Sequence, residues 1–109
     1  MTLPTHVQVG PIRYSLAVDQ AAIDHTGSGK AGNTNHPLQT ILLSSEQGPD
    51  QEADTVLHEV LHACLHQSDG ELSVEQEERL VLSLAPLLLD TLRRNPELVA
   101  YLMGAKEEP

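Results

Sequence analysis

The chain has 109 residues, a formal net charge of −10, and two tyrosines but no phenylalanine or tryptophan. A chain of this length suits one domain with a small core, which here must be built from aliphatic side chains. Because an acidic surface attracts neither phosphate backbones nor anionic lipids, we expect no nucleic acid and no membrane among its partners. No apolar run in the sequence is long enough to span a bilayer.

The N-terminus and the cysteine content favour a cytoplasmic protein. Residues 1–5 lack the basic and apolar regions of a signal peptide. Cys64 is the only cysteine, so no internal disulfide can form. Because Cys64 lies among apolar residues, we predict a packed, inert thiol rather than a metal ligand.

The first 47 residues are predicted to form strands and loops. Residues 6–9 alternate weakly, and residues 12–18 alternate apolar with polar side chains, which is typical of a half-buried strand. A Gly-Pro turn between them could join the two as a hairpin. Residues 24–35 are rich in Gly, Ser, Thr and Asn and are predicted to be loop. Residues 38–43 are predicted to form a third strand.

A helix is predicted from Pro49 to His66 or Gln67. Proline suits the first helical turn, and the acidic residues that follow it complement the helix dipole. The apolar side chains of this segment fall on one broad arc, which we predict to be buried. They are Val56, Leu57, Val60, Leu61, Cys64 and Leu65.

This helix contains the pattern H-E-x-x-H at residues 58–62. Positions i and i+4 project from one face of a helix, so that two imidazoles can reach one ion. Glu59 projects to the flank of that face, where it could hold a water at the metal and take its proton. The pattern therefore predicts a zinc site with His58 and His62 as ligands and Glu59 as general base.

A catalytic zinc site needs a third protein ligand. His66 continues the series of histidines, but on a straight helix it lies about 12 Å from His58 along the axis. Zinc–ligand bonds of about 2 Å do not bridge that distance. We therefore expect His66 to line the cleft or to interact with the end of its helix.

A carboxylate early in the next helix is the better candidate for the third ligand. An antiparallel return of the chain would bring Glu78 to the depth of His62. Glu78 lies three residues before Val81 and four before Leu82, so it continues the apolar stripe of that helix. The neighbouring Glu75 and Glu77 diverge to its two sides and remain alternatives. The stripe consists of Val81, Leu82, Ala85, Leu88, Leu89 and Leu92.

The remainder of the chain is predicted to be helical. Ser73 and Gln76 match a capping box, which indicates a helix from residue 74 to about residue 94. Pro86 removes a backbone donor and should kink this helix. Asn95 followed by Pro96 indicates the start of a short helix that reaches about residue 103.

The predicted fold class is α+β. A short mixed or antiparallel sheet of about three strands would pack on the H-E-x-x-H helix, followed by a long kinked helix and a short C-terminal helix. We expect one domain over residues 1–109, with strands and loops in 1–47, the metal-site helix in 48–67 and the C-terminal helices in 73–103.

These segments resemble a minimal zinc metallopeptidase of the zincin type, and more narrowly the ImmA/IrrE-like peptidases and their small phage-encoded relatives. The resemblance rests on the strand at residues 39–43, on residues 54–63 around the motif, and on residues 78–89. It implies a short mixed sheet packed on the metal-site helix. It also implies zinc held by His58, His62 and a downstream acid, with Glu59 as the base.

The expected activity is zinc-dependent hydrolysis of peptide bonds, with a peptide or protein as substrate. An edge strand near residues 39–43 could bind an extended peptide by backbone pairing. The tetrahedral oxyanion needs a donor besides the metal, and Tyr14, His36 and His66 are candidates among which the sequence does not choose.

Two other functions are compatible with the sequence. The protein could be a small acidic interaction protein of a phage or prophage, whose metal site is structural or degenerate. The long helix is apolar over most of its circumference, which is typical of a helix docked on a partner or on a second copy of the chain. A metal-dependent amidase that acts on a non-peptide substrate is the second alternative.

Overall fold

The computed structural model describes residues 2–26, 30–68 and 70–104. It confirms the predicted α+β class, with a four-stranded sheet in the N-terminal part and four helices. In chain order the elements are β1 (His6–Val9), β2 (Ile12–Val18), α1 (Gln20–Thr26), β3 (Gly32–Asn35), β4 (Thr40–Leu43), α2 (Pro49–Gln67), α3 (Val74–Arg94) and α4 (Pro96–Leu102).

The sheet is mixed and has the strand order β1-β2-β4-β3. The predicted hairpin of β1 and β2 is confirmed, with Val9 opposite Ile12. Gly10 in its turn has a φ of +55°, which glycine adopts without the steric cost that a Cβ would bring. β2 runs parallel to β4, and β4 runs antiparallel to β3.

The prediction of loop over residues 24–35 is wrong at both ends, and residues 27–29 lie outside the described part of the chain. The segment begins within α1, whose start is capped by Asp19, since its carboxylate accepts a hydrogen bond from the Ala22 N–H. It ends with β3, which forms through backbone pairing with β4 although its four residues lack an apolar pattern. The sheet therefore has four strands rather than about three.

The strand predicted at residues 38–43 forms from Thr40 to Leu43, but it is not an edge strand. β4 lies between β2 and β3, and both of its sides are paired. The prediction that this strand binds a peptide by backbone pairing is therefore wrong. In the described sheet β1 and β3 form the edges.

The core lies between the sheet and α2. Its buried side chains are Val9, Tyr14, Leu16, Ile41, Leu43 and Ala63. No residue of the predicted buried arc of α2 is fully buried: Val56 and Val60 pack on the core in a partly buried state. The buried residues of this helix are Thr55, Glu59 and Ala63. β3 packs closely against these buried residues of α2. A Cβ added at Gly32 would come within 2.7 Å of Thr55 Cγ2. Larger apolar side chains are displaced to the flanks, and Cys64 is exposed rather than packed.

α3 packs antiparallel on α2. An early residue of α2 meets a late residue of α3, since Asp50 Oδ1 lies 3.3 Å from an Arg93 guanidinium nitrogen. The predicted capping box is confirmed, with Ser73 and Gln76 each bonded to the other's backbone N–H. α3 continues through Pro86 to its predicted end.

The apolar stripe of α3 is buried only in part. Val81 and Ala85 are buried as predicted, whereas Leu82 is 59% exposed. The described residues of α4 are all partly or fully exposed. Within the described ranges, none of the helices is both long and apolar enough to traverse a membrane.

Candidate metal site

Two helices bring three potential metal ligands to one point. His58 and His62 project from the same face of α2, one turn apart, and their Nε2 atoms lie 3.2 Å from each other. Glu78 reaches them from the first turns of α3. Its Oε1 lies 3.1 Å from His58 Nε2, and its Oε2 lies 2.8 Å from His62 Nε2. The three residues predicted as ligands thus form a group that could hold a metal ion.

The spacing of these donors is compatible with a shared metal ion, and it is also that of direct hydrogen bonds between the side chains. Four ligands at about 2.0–2.1 Å from a tetrahedral ion lie about 3.3 Å from one another. The separations of 2.8 to 3.2 Å between the imidazole nitrogens and the Glu78 oxygens are close to this value. Two imidazoles and one carboxylate are also the ligand types of known catalytic zinc sites, which keep a fourth position open.

The hydrogen bond of His62 to Glu77 bears on the charge of the site. His62 Nδ1 lies 2.7 Å from Glu77 Oε2, so the ring N–H donates to this carboxylate. In a neutral imidazole the lone pair of Nε2 then faces the Glu78 carboxylate, and two acceptors meet at 2.8 Å. A cation between them, either a second proton on the ring or a metal ion, removes this repulsion.

Glu59 lies beside the group of ligands and is held on one side. Its side chain is only 8% exposed, and its Oε2 is 3.9 Å from His58 Nε2. Thr34 of β3 donates a hydrogen bond of 2.7 Å to the other oxygen, Oε1. The close passage of Gly32 beside Thr55 and Glu59 allows this strand to approach the helix.

A cleft of about 700 Å³ opens over these residues. One wall is the segment from Lys30 to Thr34, which includes most of β3, and the opposite wall is α3. The floor is α2 from Gln51 to His62. Because Glu59 and the three potential ligands all line the cleft, a molecule that enters it would contact them directly.

The three predicted oxyanion donors form one cluster beside this site. The Tyr14 hydroxyl lies 3.0 Å from His36 Nδ1, and the rings of His36 and His66 stack at 3.8 Å between centroids. Among the described residues that line the cleft, His36 is the only member of this cluster. Burial first, and the neighbouring His66 second, lower the pKa of His36 below its ordinary value.

Tyr14 lies behind His36 in the core and is 1% exposed. Burial first, and the nearby Cys64 second, raise the pKa of its hydroxyl above the ordinary value of 10.0. Tyr14 therefore remains a neutral phenol that can donate a hydrogen bond to His36 at physiological pH.

The other acids and histidines considered as ligands do not join the group. His66 stacks on His36, and Glu75 is exposed. Glu77 contacts the outer nitrogen of His62, which is the place of an orienting residue rather than of a ligand. The apolar stripe of α3 favours Glu78 over Glu77 in the sequence, and in the structure Glu78 is the acid that lies beside both imidazoles.

Asp54 is a cleft residue that the sequence analysis missed. It lines the floor one turn before His58, and its buried Oδ1 has no hydrogen-bond partner among the described residues. Its position four residues before a predicted ligand was the available signal, since i and i+4 share one face of a helix.

No protein-family model, curated protein or solved structure matches this chain.

Proposed function

We propose that the protein is a zinc-dependent metallopeptidase. The observation that carries the proposal is the convergence of the His58 and His62 Nε2 atoms with the Glu78 carboxylate, while the buried Glu59 lies 3.9 Å from His58. A carboxylate beside a three-ligand site is the arrangement needed to hydrolyse an unactivated amide with water.

Glu59 is the general base of the proposed reaction. Zinc at this site would lower the pKa of a water to about 7 and polarise the scissile carbonyl. Thr34 holds one oxygen of Glu59, which leaves Oε2 on the side of His58 to accept the proton of the attacking water. The same oxygen can then deliver this proton to the leaving amine.

His36 is the proposed donor to the oxyanion. We propose that the Tyr14 hydroxyl, 3.0 Å from Nδ1, donates to this nitrogen, so that a neutral His36 carries its proton on Nε2. Nε2 is then a hydrogen-bond donor on the side of the ring away from the buried tyrosine. Because His36 lines the cleft and the other two candidates do not, it is the one that can reach a substrate.

The edge strand β3 is the proposed backbone partner of the substrate. Its residues line the cleft, and one of its sides is unpaired in the described sheet. An extended peptide could add to this edge by main-chain hydrogen bonds. This assignment replaces β4, the interior strand, as the element that aligns the peptide.

A non-enzymatic interaction protein is the second candidate function. The observation that favours it is the apolar surface of α4, where Leu98, Tyr101, Leu102 and the adjoining Met103 are exposed. Such a surface is typical of a contact with another protein or a second copy of the chain. In this hypothesis the metal group has a structural role or is degenerate. Because the single cysteine suits a reducing compartment, we propose a cytoplasmic location for either function.

A Glu59→Gln variant separates the two functions. The metallopeptidase hypothesis predicts that this variant keeps bound zinc while turnover of a peptide library falls by about 100-fold or more. Glu75→Gln, an exposed substitution of the same type, is the control and should retain both. A native protein that binds zinc and cleaves no peptide would contradict the proposal. Hydrolysis of cell-wall amides in its place would support the non-peptide amidase.

A further inference from the structure

Two exposed apolar side chains flank the proposed ligand Glu78 on the α3 wall of the cleft. Val74, Glu78 and Leu82 are spaced at i, i+4 and i+8, so they share one face of the helix. All three line the cleft. Val74 is 87% exposed and Leu82 is 59% exposed. The candidate metal site therefore has an apolar side chain on either side of it.

β3, on the opposite wall of the cleft, runs alongside α2 and α3. Gly32 contacts α2 near Thr55, whereas His36 just beyond the strand stacks on His66 near the end of α2. β3 thus follows the direction of α2, and α3 runs antiparallel to both. A peptide paired with β3 would extend parallel to the wall that carries Val74 and Leu82.

The spacing along the two walls matches an extended peptide. Leu82 and Val74 are each about 6 Å from Glu78 along the helix axis, from the rise of 1.5 Å per residue. Alternate side chains of a strand lie on one face and are about 6.6 Å apart. If one peptide residue lies opposite Glu78, the residue two positions away on one side lies opposite Leu82. The residue two positions away on the other side lies opposite Val74.

We propose that Val74 and Leu82 form apolar subsites that select an extended peptide with apolar side chains two residues before and two residues after the residue opposite Glu78. This inference rests on the proposed function and names its substrate class. Acidic side chains are disfavoured, because the described lining of the cleft carries three carboxylates, those of Asp54, Glu59 and Glu78, against the one lysine Lys30.

The test measures peptide binding apart from hydrolysis. Fluorescently labelled peptides with Leu, Ser or Asp at the two flanking positions are titrated into the full-length Glu59→Gln protein, with and without added zinc. The Leu peptide is expected to bind about 10-fold or more tightly than the Ser peptide. Leu82→Ser should remove most of the preference for Leu over Ser at the peptide position opposite residue 82, and leave it at the position opposite Val74.

Leu87→Ser is the matched control, because Leu87 is 67% exposed on the same helix and is absent from the described cleft lining. It should leave the preference unchanged. Leu82→Lys should reverse the preference toward the Asp peptide, an effect that general loss of folding does not produce. Equal binding of the three peptides, binding of none of them, or an equal effect of Leu87→Ser would overturn the proposal.

The same peptides given to the native protein keep the two hypotheses apart. Selective binding without cleavage would support these subsites and contradict the peptidase. Cleavage at equal rates of the Leu, Ser and Asp peptides would support the peptidase and contradict the subsites.

Discussion

Thr34 on β3 donates a hydrogen bond of 2.7 Å to Oε1 of Glu59, the buried carboxylate of α2. The same hydroxyl also lies 3.4 Å from the Glu59 backbone carbonyl. A carboxylate that loses contact with water needs hydrogen-bond donors in its place. An edge strand without apolar residues is therefore part of what holds the proposed base.

Replacing Thr34 with valine tests this contact, because the shape of the side chain is kept and the donor is lost. A hydrogen bond to a charged group contributes about 1.5–3 kcal/mol. We expect the free energy of unfolding to fall by an amount of this order, measured by urea denaturation of the metal-free protein. Thr91→Val on the exposed side of α3 is the control and should have a much smaller effect. Equal losses in both variants would contradict the importance of the Thr34 contact.

Gly32→Ala tests the close approach of β3 to α2. The added Cβ would meet Thr55 Cγ2 at 2.7 Å and Glu59 Cγ at 3.2 Å, so the strand or the helix must shift. Overpacking of this kind costs about 1–3 kcal/mol, and it should also lower turnover because Glu59 moves. At Gly48, by contrast, an added Cβ meets no atom within 4 Å. Thermal unfolding of Gly32→Ala and Gly48→Ala should therefore show the larger loss at Gly32.

α2, α3 and α4 were predictable because their signals are local, whereas the short α1 was missed. Pro49 in a first turn, and the capping box of Ser73 and Gln76, mark where two helices begin, and the structure confirms both starts. The spacing of His58 and His62 likewise determines, within one helix, that both imidazoles share a face.

β3 was not predictable from its own residues. The sequence Gly-Asn-Thr-Asn favours a turn, and it forms a strand only because β4 pairs with it and α2 packs against it. The burial of Glu59 was missed for a related reason. The close approach of Gly32 is a tertiary contact, and the apolar pattern of α2 predicts a different buried face.

Glu77 is predicted to act through His62. Its carboxylate is 2.7 Å from His62 Nδ1, where it fixes the ring orientation and the tautomer. Removal of such an orienting partner typically weakens metal binding by about 10- to 100-fold. We expect Glu77→Gln to lower zinc affinity by this factor in a competition titration with a chromogenic chelator. Glu75→Gln, an exposed neighbour on the same turn, should bind zinc as the native chain does.

His36 should make the metal-free protein less stable in mild acid. Burial and His66 lower its pKa below the ordinary 6.5, and Glu77 only partly opposes them. The unfolded chain therefore takes up the His36 proton at a higher pH than the folded chain does. Stability is lost as pH falls through 6.5 toward the lowered pKa, and above 6.5 this contribution is constant.

The variant His36→Gln removes this contribution. We expect the urea midpoint of the native chain to fall more steeply than that of His36→Gln between about pH 7 and pH 5. Parallel midpoints across this range would contradict the assignment.

The measurement that tests the metal site most directly is the zinc content of protein purified without chelator. It should be determined for the native chain and for His62→Ala, Glu78→Ala and His66→Ala. The three-ligand site predicts about one zinc per native chain, retained by His66→Ala and lost from the other two variants. A native chain that contains no zinc and takes up none when it is added would contradict the site, and with it the proposed metallopeptidase.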